Sequence, residues 1–231
     1  MLVRTMSQPT AQTDLTRSPL ADRIALITGA SGGIGRAIAR RLARAGARLV
    51  LHFHSNRQAA EELRAELATS ASGSVSGNVS DQRADHVLVG ADLRDPEATQ
   101  GMVDEVLEQV PGVDILVNNA GLYERYPLMD TPFETWLDGW HRAVATNLTA
   151  PAQLSYLLAR HMAERGGGRM INIGSRGAFR GEPDAPGYGA AKAGLHALTQ
   201  SLAVALAPRG IYVFAVAPGF VEAWVDRAQC L

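Results

Sequence analysis

The sequence predicts an α/β fold in which helices cover both faces of a mainly parallel sheet, a doubly wound three-layer sandwich. Six short apolar runs recur along the chain, at residues 23–30, 47–53, 85–93, 113–121, 168–175 and 211–219. Several are apolar at consecutive positions, as expected for strands buried on both faces of a parallel sheet. Because helical segments separate the runs, we expect crossover connections and a ligand site at the carboxyl ends of the strands.

The segments between these strands carry apolar residues at helical spacing. They lie at residues 33–46, 56–68, 96–110, 134–165 and 188–208. Gly46 and Pro208 are helix stop signals, and the Ser- and Gly-rich stretch at 69–84 predicts an enlarged loop. A chain of 231 residues suits one sizeable core, so we predict a loose tail at 1–20 and a single domain at 21–231.

Composition and charge exclude several partner classes. The chain is 46% hydrophobic and 19% charged with a formal net charge of -1, which gives no general attraction to nucleic acid or to an anionic membrane. The N-terminal segment lacks the apolar run of a signal peptide, and no later stretch has the length of a membrane span. A single cysteine, Cys230, cannot form an internal disulfide and fits a reducing compartment. We expect a cytoplasmic protein without nucleic acid, membrane or metal as a partner.

A glycine-rich turn follows the first predicted strand. In "TGASGGIGRA" the glycines have the spacing G-x-x-x-G-x-G and a helix begins at once. Such a turn allows close backbone approach to a pyrophosphate that faces the positive end of the helix. A tight strand-to-helix turn without a ligand is the alternative, but the position in the first βαβ unit favours a Rossmann-like dinucleotide site. The predicted contacts here are Gly29, Ser31, Gly33, Ile34 and Gly35.

The end of the second strand indicates which dinucleotide binds. It reads "LHFHSNRQ", with no carboxylate to bind the ribose hydroxyls and exclude a 2′-phosphate. Instead, His54, Ser55, Asn56 and Arg57 offer donors that suit a phosphate. We therefore predict that NADP(H) is favoured, with NAD(H) possible. In the alternative, Arg57 merely occupies the first turn of the next helix.

A tyrosine and the chain's only lysine stand one helical turn apart. Tyr188 and Lys192 are at i and i+4 of a predicted helix, so their side chains project from one face. A nearby ammonium favours the phenolate form of a tyrosine. Ser175 ends a strand at the edge where ligands bind, and its hydroxyl could orient a carbonyl beside the tyrosine. Asn147 is a polar residue amid apolar ones, and it could instead satisfy a helix kink before Pro151.

Together these residues resemble the classical short-chain dehydrogenase/reductase family over about residues 22 to 222. The matching pieces, in the family's order, are "TGASGGIG" at 28–35, "ADL" at 91–93, "NNAG" at 118–121, Asn147, Ser175, Tyr188 with Lys192, and "PG" at 218–219. The resemblance implies further cofactor contacts at Asp92, Leu93, Asn119, Ala120, Gly121, Pro218 and Gly219, besides Tyr188 and Lys192 themselves.

The resemblance also implies the chemistry, which is hydride transfer between the nicotinamide and a carbonyl or secondary alcohol of a small molecule. Tyr188 would be the general acid/base, and Lys192 would lower the pKa of that tyrosine and hold the nicotinamide ribose. Ser175 would position the reacting oxygen, and Asn147 would hold a water in a proton relay. In the segment 122–130, which should line the substrate pocket, Tyr126 would offer aromatic surface. Relatives of this kind often pair their long helices, which implies a homodimer or homotetramer.

The end of the sequence departs from the family pattern. Only twelve residues follow Gly219, too few for a crossover and its strand, so we expect the final strand to be missing. A shortened sequence, a natural truncation and a frame change are the explanations left open. This departure sustains a rival hypothesis, a dinucleotide-binding sensor or interaction subunit with little or no catalysis. A dehydratase or epimerase is a third possibility.

Overall fold

The structure is a computed structural model that describes residues 18–71 and 85–221. Within these residues, six strands form one sheet in the order β3-β2-β1-β4-β5-β6, and every neighbouring pair is parallel. The strands are β1 (Ile24–Ile27), β2 (Arg48–Phe53), β3 (Val87–Gly90), β4 (Ile115–Asn118), β5 (Gly168–Ile173) and β6 (Ile211–Val216). The predicted doubly wound fold is confirmed, and its strand order reverses between β1 and β4, where such folds bind ligands.

Helices connect the strands. They are α1 (Gly33–Arg44), α2 (Arg57–Ala71), α3 (Pro96–Gln109), α4 (Phe133–Val144), α5 (Ala150–Glu164), the four-residue α6 (Gly177–Arg180) and α7 (Pro186–Leu206). The helical region predicted at 134–165 is interrupted by a π-helical segment at Ala145–Thr149. No described helix combines the length and apolar character needed to cross a membrane.

Two apolar layers separate the helices from the sheet. Successive residues of a strand point to opposite faces, and β1 shows this division clearly. Ala25 and Ile27 pack with residues of α1 and α2 on one face. Ile24 and Leu26 pack with residues of α3, α5 and α7 on the other. Because both faces are covered, β1, β2 and β4 are buried almost throughout, which explains their continuous apolar runs. Strand β6 is the exception, since only Ile211 and Val213 of its six residues are buried.

The element boundaries differ from the sequence prediction in two places. Leu20 belongs to the folded part and not to a loose tail, since its N–H donates to the Ala45 carbonyl at 2.9 Å and its side chain packs against the layer under α1. The helix α2 extends to Ala71 and so includes the first residues of the predicted 69–84 loop. The rest of that loop, the tail before residue 18 and the predicted absence of a final strand fall outside the described residues.

Candidate active site

A cleft of about 760 Å³ opens at the carboxyl ends of the strands, across the point where the strand order reverses. All but two of the predicted site residues line it, and the two exceptions are Arg57 and Asn147. The lining residues predicted from the sequence are Gly29, Ser31, Gly33, Ile34, Gly35, His54, Ser55, Asn56, Asp92, Leu93, Asn119, Ala120, Gly121, Ser175, Tyr188, Lys192, Pro218 and Gly219. Residues remote in sequence thus meet in one elongated site.

The glycine turn forms a cradle that side chains would fill. Gly29 has a φ of +60°, a conformation that favours glycine. A Cβ on Gly35 would overlap the Gly29 carbonyl oxygen and lie 2.6 Å from Asn119 Nδ2. Helix α1 begins directly after this turn, and its cap residue, Gly32, provides no side-chain cap. The first N–H groups of α1 are thus available to an anion, so the turn fits a dinucleotide pyrophosphate.

Hydrogen bonds across the sheet hold the turn in place. The Thr28 hydroxyl accepts from the N–H groups of Asn119 and Ala120, both at 2.9 Å. The Asn119 amide donates to the carbonyls of Thr28 and Gly29 at 2.9 and 3.0 Å. The turn after β1 is therefore tied to the turn after β4, on opposite sides of the cleft. Thr28 was not among the predicted site residues, because a threonine ending a strand is a common feature.

At the end of β2, three of the four residues predicted to bind a phosphate line the cleft and the fourth does not. His54, Ser55 and Asn56 line the cleft, and Asn56 Oδ1 also accepts from the Ala59 N–H at 3.0 Å. Arg57 points away, since its Nε donates to Glu61 at 2.9 Å one helical turn later, and its side chain is 71% exposed. In this structure Arg57 therefore has the position that the alternative interpretation expected.

The acidic residue of the "ADL" segment is firmly ionised. Arg94 donates to Asp92 Oδ2 through Nη2 at 2.7 Å and to Oδ1 through its own N–H at 3.0 Å. These hydrogen bonds from Arg94 are the main reason that the pKa of Asp92 is lowered to about 2. Arg94 also lines the cleft, a contact that the sequence motifs did not indicate.

Tyr188, Lys192 and Ser175 meet where α7 crosses the end of β5. Lys192 is buried and donates from Nζ to the Ile173 carbonyl at 2.7 Å, and this Nζ lies 5.8 Å from the centre of the Tyr188 ring. Ser175 Oγ accepts from the Gly177 N–H at 3.0 Å. The hydrogen bond to Ile173 thus holds the single lysine at the end of β5, next to the Tyr188 ring.

The ionisation of this group depends on its burial. The pKa of Tyr188 is raised, chiefly because burial disfavours the phenolate, and Glu182 raises it further while a hydrogen bond with Ser175 opposes the rise. Burial also lowers the pKa of Lys192 to about 8. Burial is thus the first influence on the pKa of Tyr188 in this structure, and the lowering of that pKa by Lys192 stays a prediction.

Asn147 is fully buried in the π-helical segment and does not line the cleft. Its amide donates to the carbonyls of Leu122 and Ala143 at 2.8 and 2.9 Å, and its Oδ1 accepts from the Leu122 N–H at 3.2 Å. A Cβ on Gly121 would lie 3.0 Å from Asn147 Oδ1 and 3.7 Å from Lys192 Nζ. Asn147 therefore holds the backbone of the loop after β4 in place. Gly121 of this loop lies between Asn147 and Lys192.

A buried polar chain anchors α7, and no sequence motif indicated it. Asn118 donates to Asn172 at 2.8 Å, Asn172 donates to Thr199 at 2.8 Å, and Thr199 donates to the Leu195 carbonyl at 2.7 Å. These contacts join β4, β5 and α7. Because buried amides must be paired, the chain fixes the helix that carries Tyr188 and Lys192.

Two loops form the open end of the cleft beside Tyr188. Tyr123 packs edge-on against Tyr188 with ring centres 5.0 Å apart, and its hydroxyl lies 3.5 Å from Glu182. Arg125 pairs with Asp184 at 2.8 Å, which links the same two loops. Tyr126, expected to offer surface to a substrate, is instead buried. Among the described residues no group of His, Cys, Asp and Glu could hold a metal ion.

Comparisons with known proteins show the family of the chain. A family model described as "short chain dehydrogenase" matches residues 23–229. The chain is 37% identical to a 3-oxoacyl-(acyl-carrier-protein) reductase of Vibrio cholerae, over 90% of this chain and 78% of the relative. It is also 37% identical to an L-rhamnose 1-dehydrogenase (NAD(P)(+)) of Azotobacter vinelandii, over 90% of this chain and 77% of the relative.

A solved structure has the same fold. It is assigned as an NAD(P)-dependent gluconate 5-dehydrogenase of Beutenbergia cavernae and holds NADP at low occupancy. The TM-score is 0.76 at 34% identity, and the match covers 90% of this chain and 76% of that one.

The close contacts around Gly35 lead to a testable prediction about cofactor binding and stability. Replacing Gly35 by Ala should weaken cofactor binding at least about tenfold and lower the melting temperature by roughly 5 °C or more, because the turn must shift to admit the methyl group. Gly101→Ala is the matched control, since a Cβ there meets nothing within 4 Å on helix α3 and alanine favours a helix by about 1 kcal/mol. Calorimetric titration and thermal unfolding measure both effects. Wild-type cofactor affinity in the Gly35 variant would contradict this account of the turn.

Proposed function

The chain belongs to the short-chain dehydrogenase family and is an NAD(P)-dependent oxidoreductase, and on this premise we propose that it transfers a hydride between NADP(H) and a small-molecule carbonyl or secondary alcohol. The supporting observation is that one cleft is lined both by the glycine cradle and by Ser175, Tyr188 and Lys192. We propose that Tyr188 is the general acid/base.

The role proposed for each residue follows from its position in the cleft. The bound nicotinamide would supply or accept the hydride, and the protein provides orientation and proton transfer. The free N–H groups at the start of α1 would hold the pyrophosphate. Pro218 and Gly219 line the cleft near Ser175 and Tyr188, and we propose that they border the nicotinamide.

Proton transfer would use the phenol of Tyr188. Because its pKa is raised by burial, the tyrosine carries its proton at neutral pH and is ready to donate it to a carbonyl oxygen. The Ser175 hydroxyl is close enough to lower the pKa of Tyr188 and would hold the same oxygen. Lys192, held by Ile173, would contact the cofactor ribose as a compact donor. Asn147 would position the backbone beside this lysine and hold the relay water.

The rival hypothesis of a binding subunit without useful catalysis is not favoured. The named relatives are reductases or dehydrogenases. The tyrosine, lysine and serine also meet at the cleft, which a pure binding module does not require. We therefore retain the enzyme. These relatives carry the names of different substrates, so the proposal specifies the reacting group, a carbonyl or secondary alcohol, and no particular compound.

If Tyr188 is the general acid/base, its removal should lower turnover but not cofactor binding. In Tyr188→Phe, kcat should fall by about 10³-fold or more because the proton donor is removed, while the cofactor dissociation constant should stay within about twofold. Tyr212→Phe, at an exposed position on β6, is the matched control and should keep full activity. The assay follows absorbance of the reduced nicotinamide with a panel of carbonyls and alcohols, and calorimetry measures cofactor binding. Substantial turnover by the Tyr188→Phe variant would refute the role given to Tyr188.

The cofactor preference rests on the loop after β2. His54, Ser55 and Asn56 line the cleft, and residues 54–57 contain no carboxylate. The nearby carboxylate of Asp92, 3.7 Å from His54 Nε2, is paired with Arg94. The exposed guanidinium of Arg57 makes a surface pair with Glu61, and such pairs contribute little stability. We propose that Arg57 exchanges Glu61 for the 2′-phosphate when NADP(H) binds.

This exchange predicts a cofactor-specific effect of one substitution. Arg57→Ala should weaken NADPH binding roughly three- to tenfold and leave NADH binding within about twofold, because only NADPH has the 2′-phosphate. Arg64→Ala, at an exposed position of the same helix, should change neither. Dissociation constants for both cofactors decide the matter. A tenfold or greater preference of the wild-type enzyme for NADH would overturn the NADP(H) assignment.

We further propose a homodimer or homotetramer in the cytoplasm. Helices α4, α5 and α7 present the exposed apolar side chains of Phe133, Tyr156 and Val204, a feature of surfaces that pair. The single cysteine, which fits a reducing compartment, supports the location. Sedimentation should give two or four times the mass of 24.6 kDa, and a monomer at micromolar concentration would contradict the assembly.

A further inference from the structure

His52 joins two turns of the cofactor cleft through the two nitrogens of one ring. The Gly29 N–H donates to its Nδ1 at 3.1 Å, and its Nε2 lies 3.1 Å from the Ala91 carbonyl oxygen. Gly29 begins the glycine turn, and Ala91 precedes Asp92. The side chain is 1% exposed and lines the floor of the cleft.

These contacts determine the protonation state of the ring. Nδ1 accepts a hydrogen bond and must carry no proton, whereas Nε2 faces a carbonyl and must carry one. Only the neutral ring with its proton on Nε2 makes both bonds. Burial is the main reason that the pKa of His52 is lowered to about 4, with His54 adding to this effect and the Ala91 contact and Asp92 opposing it. The neutral form is therefore the stable one near pH 7.

The two backbone groups that His52 pairs lie just beyond the regular strands. Strand β1 ends at Ile27 and β3 at Gly90, and β2 lies between them in the sheet. A side chain from β2 is thus the element that can reach both turns at once. Since the ring has fixed dimensions, it sets the spacing between the Gly29 turn and the Asp92 turn.

We propose that His52 is a positioning residue for the cofactor, whose neutral ring fixes the glycine turn relative to the Asp92 turn and thereby sets cofactor affinity. It acts through the two turns and needs no direct contact with the cofactor. A purely structural role would predict a loss of stability alone. Cofactor affinity and stability must therefore be measured separately.

The chain offers a matched control in His86. This histidine is also buried, its Nδ1 accepts from the Leu49 N–H at 3.1 Å, and burial lowers its pKa to about 4. It differs in location, since Leu49 lies at the start of β2, away from the carboxyl ends, and His86 does not line the cleft. Losing either ring leaves a buried N–H without its partner, at a similar cost in stability.

The experiment compares three variants by calorimetric titration with NADPH and by thermal unfolding. His52→Leu and His86→Leu should both melt at lower temperature, but only His52→Leu should weaken NADPH binding, by about tenfold or more, with His86→Leu within about twofold. His52→Asn keeps an acceptor near the Nδ1 position for the Gly29 N–H, so its affinity should lie between those of wild type and His52→Leu. If His52→Leu does not fold, the comparison of His52→Asn with His86→Leu decides.

Kinetics provides a second readout. At saturating cofactor and substrate, kcat of the His52 variants should stay within about threefold of wild type while KM for the cofactor rises, because Tyr188 and Lys192 lie on α7 and not on the two turns that His52 joins. Wild-type NADPH affinity in the His52 variants, or an equal loss in His86→Leu, would overturn the proposal. The binding measurement needs no substrate, so it stands or falls independently of the assignment of Tyr188.

Discussion

The hydrogen bonds between the β1 and β4 turns are the constraint on which the cofactor half of the site depends. Asn119 donates two hydrogen bonds to Thr28, from its backbone N–H and from its side-chain amide, across the point where the strand order reverses. They leave no room beside Gly35 for a side chain. The neighbouring turn after β3 is connected to the same glycine turn through His52. Three strand ends are thereby held at fixed spacing, and a preorganised site loses little freedom when a ligand binds.

The catalytic half of the cleft depends on a second set of buried polar contacts. Helix α7 is fixed to the sheet through Asn172 and Thr199 at one point and through Lys192 and Ile173 at another. Unpaired polar groups are costly in the core, so this set resists any sliding of α7 along β5. Tyr188 consequently keeps its position relative to the glycine turn, which lines the same cleft. The burial that gives this precision also raises the pKa of the tyrosine.

Local sequence patterns predicted most of the lining of the cleft, because turn glycines, strand ends and an i, i+4 pair are short-range features. They were less successful in predicting the orientation of side chains that have several possible partners. Arg57 has Glu61 within its own helix, and Tyr126 is buried rather than facing the cleft. Thr199 and His52 were missed because their partners are 27 and 23 residues away in sequence. Hydrophobic periodicity reflects residues a few positions apart, so it does not indicate such distant pairs.

The sequence by itself determined the doubly wound fold, the glycine turn and the pairing of Tyr188 with Lys192, since hydrophobic period and residue spacing act over a few residues. Only the tertiary structure decided which groups are paired and which are desolvated. It turned Arg57 away from the cleft, placed Asn147 behind Gly121 and made burial the main influence on the pKa of Tyr188. The physical reason is that ionisation and hydrogen bonding depend on three-dimensional neighbours and on burial, and both are set when distant segments pack together.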